Sequence, residues 1–84
     1  MSKTGKLLDK ARRNPAGLPF DEFKTLLARS EWAFDHQTGS HEIWYSSGRR
    51  RLSIQSADNG KAKAYQVRQF LKLLEEEESD EGQV

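Results

Sequence analysis

The chain has 84 residues, enough for one domain. Apolar residues make up 35%, charged residues 32% and mean hydropathy is −0.91, which excludes a run of about 20 apolar residues able to cross a membrane. The formal charge of +1 divides unevenly: residues 1–74 carry a net +7, and residues 75–84 carry six acids and no base, a pattern that suits a polyanionic partner, with the tail as its competitor or as a solubilising element.

Cysteine is absent, so disulfides, thiolate nucleophiles and cysteine-based zinc sites are excluded. No apolar stretch follows Met1, so no secretory leader is expected, and the expected location is cytoplasmic. With His36 and His41 as its two histidines, the chain is expected to hold no metal and no small-molecule cofactor.

In chain order, Leu7, Leu8 and Ala11 suit a short helix over 6–13. Asn14-Pro15-Ala16-Gly17-Leu18-Pro19 breaks it. Phe20, Phe23, Leu26 and Leu27 then make an apolar helical stripe, with Asp21 as the expected N-cap and an end near Ser30. From Trp32 the period changes to two. Trp32 and Phe34 alternate with Ala33 and Asp35 in a first strand, Thr38-Gly39-Ser40 reads as a turn, and His41 to Tyr45 reads as a second strand. Ser46-Ser47-Gly48-Arg49 is a second turn, with a third strand over Arg50–Ser56. Val67, Phe70, Leu71 and Leu74 restore helical spacing after Lys63. Four adjacent carboxylates from Glu75 to Glu78 are expected to fray that helix, and Ser79–Val84 to be disordered.

The expected fold class is α+β: a three-stranded antiparallel sheet with helices on one face and a short extra helix in front. The expected divisions are residues 1–19 as helix and linker, 20–74 as the domain, and 75–84 as an acidic tail. The expected core is Leu7, Leu8, Phe20, Phe23, Leu26, Leu27, Phe34, Ile43, Leu52, Ile54, Val67, Phe70, Leu71 and Leu74.

Pairing the second and third strands across Ser47-Gly48 sets Tyr45 opposite Arg50, Ile43 opposite Leu52 and His41 opposite Ile54. Opposed residues share a face. His41 then lies on the core side at a strand end, and Glu42, Trp44, Arg51 and Ser53 lie on the open face. Alternation puts His36 with Trp32 and Phe34, as a structural or exposed residue.

His41 has two readings, a hydrogen-bonded structural histidine or a proton carrier able to act near neutral pH. Ser40 could orient its ring or contact a phosphate. Trp44 is a packing residue or a base-stacking platform. Arg49, Arg50 and Arg51 form a cationic knob, solvated or bound to phosphate. Lys61 and Lys63 precede the last helix, whose N-terminus would favour an anion.

From Leu18 to Leu74 the chain resembles the HicA mRNA interferase toxins of bacterial toxin–antitoxin systems. Four pieces carry the resemblance, in order. They are the helix Phe20–Leu27 leading to an aromatic strand; Gly39-Ser40-His41 followed by Glu42-Ile43-Trp44-Tyr45; Gly48-Arg49-Arg50-Arg51 into Leu52-Ser53-Ile54-Gln55; and Gly60-Lys61-Ala62-Lys63-Ala64-Tyr65-Gln66-Val67-Arg68-Gln69-Phe70-Leu71. The resemblance implies a double-stranded RNA-binding-domain-like α-β-β-β-α fold and cleavage of mRNA, with His41 as the functional histidine. It also implies a HicB antitoxin that blocks the site. Ser40, Trp44, Arg49, Arg51, Lys61 and Lys63 are then the expected RNA contacts. A non-catalytic RNA-binding module and a protein-interaction domain are the alternatives from other classes.

Overall fold

Two hairpins carry the centre of the chain. In the computed structural model, which describes residues 3–82 and the side chains of 5–77, helix α1 spans Lys3–Arg13 and a 3-10 turn follows at Pro15–Gly17. Helix α2 (Phe20–Arg29) leads to strands β1 (Trp32–Thr38), β2 (His41–Ser46) and β3 (Arg51–Ile54), and helix α3 (Ala64–Gly82) closes the fold. The sheet is antiparallel in the order β1-β2-β3. This is an α+β fold whose body runs α-β-β-β-α behind α1, as expected.

The helices cover one face of the sheet. Phe23, Leu26 and Leu27 of α2 and Val67 and Phe70 of α3 pack with Trp32, Trp44, Leu52 and Ile54 of the sheet. Phe70 sits at the centre, edge-on to Phe23 (5.9 Å between centroids) and to Trp32 (6.0 Å). Five such helix residues and four strand residues, each worth roughly 1.5–3 kcal/mol when fully buried, give the domain its main stabilisation. Leu7, Leu8, Phe20, Leu71 and Leu74 are half-buried at the margin of this core.

The Pro/Gly segment is more than a linker. Leu18 is fully buried, and its carbonyl accepts the Ala62 N–H at 2.7 Å, which ties the entry to α2 to the approach to α3. Asp21 is not the N-cap of α2. Pro19 occupies that position, and Asp21 lies in the first turn, where its charge suits the helix dipole. The third strand is shorter than expected because the Gln55 N–H turns away to the Gln66 side-chain oxygen at 2.8 Å, and Ser56 pairs with Ala62. Helix α3 runs through the acidic segment as far as Gly82, beyond the fraying expected from Glu75.

Two local features reset the faces of the sheet. Between β2 and β3 the Ser46–Arg50 hydrogen bond closes a three-residue turn, Ser47-Gly48-Arg49, with Arg49 in the left-handed region at φ 67°. The Ser46 N–H donates to the Arg50 carbonyl and the Arg49 N–H to the Ser46 carbonyl, both at 2.9 Å. Tyr45 therefore opposes Arg51, Trp44 opposes Leu52, Ile43 opposes Ser53 and Glu42 opposes Ile54. One extra loop residue moves every β2 side chain to the face opposite the one expected. Trp44 is consequently a core residue, 7% exposed, and not an open-face ring.

The second feature is a bulge in β1. Phe34 opposes Trp44 and His36 opposes Ile43, with Asp35 as the extra residue. His36 thereby leaves the face of Trp32 and Phe34 and joins that of Ile43. Phe34 remains on the helix side but at the sheet margin, 51% exposed, with its ring edge-on to Trp44 at 5.9 Å.

Candidate active site

The open face of the sheet, which no described helix covers, carries His41, Ile43 and Tyr45 from β2. Arg51 and Ser53 of β3 and His36 of β1 flank them. His41 stands at the start of β2 because Gly39 and Ser40 close a two-residue turn between Thr38 and His41. Gly39 has φ +60°, the conformation that this turn demands of its first residue and that a side chain rarely adopts.

His41 is exposed, on the open side and not the core side where the simple register placed it. Its Nδ1 lies 3.3 Å from the Ser53 hydroxyl across the β2–β3 ladder. With Nδ1 engaged, Nε2 is the ring nitrogen left for proton transfer. The two-residue register sets Ser53 and His41 on opposite faces, which hides Ser53 as the partner of His41.

A polar chain links this corner to α3. The Ser40 hydroxyl accepts from Gln55 Nε2 at 3.0 Å, and Gln55 Oε1 accepts from the Lys63 ammonium at 3.3 Å. The Lys63 carbonyl accepts the first helical N–H groups, from Gln66 and Val67, so Lys63 stands at the positive end of α3. Gln55 was not singled out in the sequence, although it closes the motif Leu52-Ser53-Ile54-Gln55. Lys61 precedes Lys63 in a pinned loop: its N–H donates to Asn59 Oδ1 at 3.0 Å, and its carbonyl accepts the Ala57 N–H.

Ser40, His41 and Lys63 thus meet at one corner. Arg49 and Arg51 do not join them. Both lie toward the far end of β2, Arg51 opposite Tyr45, four residues from His41 and so roughly 13 Å along the strand. An open depression of about 480 Å³ lies at that end, lined by Asp35, Tyr45, Ser46, Ser47 and Arg49. Trp44 faces the helices, its Nε1–H donating to Glu42 Oε1 at 3.2 Å, and Glu42 in turn lies 3.6 Å from Lys24. Trp44 is thereby a packing residue and not a base-stacking platform on the open face.

Among the described residues no three His, Cys, Asp or Glu side chains are grouped to hold a metal ion, and no helix is long and apolar enough to cross a membrane.

The model of the family described as the HicA toxin of bacterial toxin–antitoxin systems matches residues 20–75, two thirds of the chain, from the start of α2 into α3. The chain belongs to the HicA toxin family. It is therefore the toxin of a toxin–antitoxin system, whose partner is the antitoxin of that system. Neither the curated proteins nor the solved structures give a match. The HicA segment contains the whole open face and the Ser40–Gln55–Lys63 chain, and α1 lies outside it.

Proposed function

We propose that this HicA-family toxin is an endoribonuclease that cleaves mRNA by proton transfer at His41, without a metal ion, and so inhibits translation and growth. RNA supplies its own nucleophile, the 2′-hydroxyl. A base that takes its proton, with cations on the phosphate, is sufficient for cleavage. One positioned acid or base contributes about 10²–10⁴-fold. The observation that carries the reading is the exposed His41 ring, held by Ser53 beside the Ser40–Gln55–Lys63 chain.

In this reading His41 Nε2 accepts the 2′-hydroxyl proton. Ser40, Lys61 and Lys63 hold the phosphate against the start of α3 and stabilise charge that builds on it. Arg49 and Arg51 bind phosphates further along the RNA strand, where they add affinity and no sequence preference. The antitoxin is of the HicB type and acts by covering this face.

The test is cleavage of a transcript by wild type and by His41→Ala, each with and without EDTA, alongside thermal melts. The expected result is cleavage by wild type that survives EDTA, and none by a folded His41→Ala protein. Cleavage by folded His41→Ala at the wild-type rate would remove His41 from the chemistry. Loss of wild-type activity on chelation, restored by Mg²⁺ or Mn²⁺, would end the metal-free mechanism.

A further inference from the structure

His41 alone leaves the reaction half supplied, because the departing 5′-oxygen also needs a proton. The β1 bulge places a second imidazole on the same face. His36 opposes Ile43, and His41 stands two residues before Ile43 on β2. The two histidines are thus diagonal neighbours across the ladder, a separation of about 7–8 Å between backbones, within reach of one phosphodiester lying between their rings. His36 is half exposed, and its Nδ1 lies 2.6 Å from Asp35 Oδ2. A carboxylate on one imidazole nitrogen fixes the tautomer and pairs with the ring when it is protonated, leaving Nε2–H to donate. Asp35 and Arg49 both line the depression toward the far end of β2, so RNA beyond the cleaved bond has a recess and a cation to enter.

We infer that His36, oriented by Asp35, is the second proton-transfer group of the nuclease, the general acid to the His41 base. The inference rests on the nuclease reading above. Neutral His41 removes the 2′-hydroxyl proton, the 2′-oxygen forms a bond to phosphorus, and the bond from phosphorus to the 5′-oxygen breaks. Protonated His36 gives its proton to that oxygen. The products are a 2′,3′-cyclic phosphate and a 5′-hydroxyl, and a proton has passed from the RNA to His41 as another left His36. Asp35 is a positioning residue.

A leaving group that needs no proton separates the two roles. Wild type, His36→Ala, Asp35→Asn and His41→Ala are compared on an RNA oligonucleotide and on uridine 3′-(4-nitrophenyl phosphate). On RNA, His36→Ala is expected to lose about 100-fold or more, and Asp35→Asn less. On the nitrophenyl ester, His36→Ala is expected to recover most of the wild-type rate, whereas His41→Ala recovers none. His36→Gln serves if the alanine variant melts early. A His36 variant that cleaves RNA at the wild-type rate, or that loses equally on both substrates, overturns the assignment and leaves the His41 reading standing. A wild-type protein that cleaves neither substrate overturns both.

Discussion

Ile43 is 3% exposed although it faces away from the helices, because His36, Ser53, His41 and Tyr45 flank it on the open side. It is the apolar floor between the two imidazoles, separate from the cluster that α2 and α3 cover. Its neighbour Trp44 does the opposite work, closing the main core beneath the sheet. Replacing Trp44 by Ala is expected to destabilise the fold by about 3–5 kcal/mol through lost burial and a residual cavity. RNA affinity per folded molecule should stay as in wild type. Urea unfolding and an RNA titration under folding conditions check both. A stable variant with weakened RNA binding would return Trp44 to the RNA surface.

The second hairpin fixes which face each β2 residue occupies, and a single backbone conformation holds it. Arg49 at φ 67° is a non-glycine residue in the left-handed region, which costs roughly 1–2 kcal/mol. Arg49→Gly is therefore expected to raise stability, by at most that amount, and to keep the register of Tyr45 opposite Arg51. A lower melting temperature for this variant would mean that the Arg49 side chain contributes more than its backbone strain removes. The helices and strands were legible from apolar periodicity, since Phe23, Leu26, Leu27, Val67 and Phe70 all reach the core. The faces were not. Ser47-Gly48 reads as a complete two-residue turn, and nothing in the residue types marks Arg49 as its third member. Strict alternation from Trp32 and Phe34 likewise hides the bulge at Asp35, which is visible only once β1 is paired with β2. These two one-residue slips explain why simple alternation puts His41 on the core side, away from Ser53, and His36 on the face of Trp32 and Phe34. Leu18 was missed as core because two prolines and a glycine around it read as a linker.

Across the whole molecule, the acidic end of α3 returns to the basic hairpin. Glu76 Oε1 lies 3.0 Å from Arg50 Nη1, and Glu77 packs so close to Gly48 that an added Cβ there would stand 3.3 Å from its Oε2. Glu77 Oε1 is buried without a hydrogen-bond partner among the described residues, which opposes the contact. The half-exposed Arg50–Glu76 pair contributes little stability by itself. The main consequence of this segment is electrostatic, because its charge lies within the screening length of about 10 Å at 0.1 M salt from the hairpin cations. Truncation after Leu74 is expected to tighten RNA binding by His41→Ala and to steepen its salt dependence, as more counterions leave the RNA. Equal affinities with and without the segment at low salt would assign it to solubility or to the antitoxin instead. The nuclease reading as a whole turns on where the nucleophile comes from. A defined RNA oligonucleotide should be incubated with the full-length protein beside the same oligonucleotide carrying a 2′-deoxy sugar at the cleaved position, and the products should be sized and their ends identified. The expected result is cleavage of the RNA to a 2′,3′-cyclic phosphate, with the 2′-deoxy position intact and His41→Ala inactive on both. Cleavage at the 2′-deoxy position at the wild-type rate would contradict it.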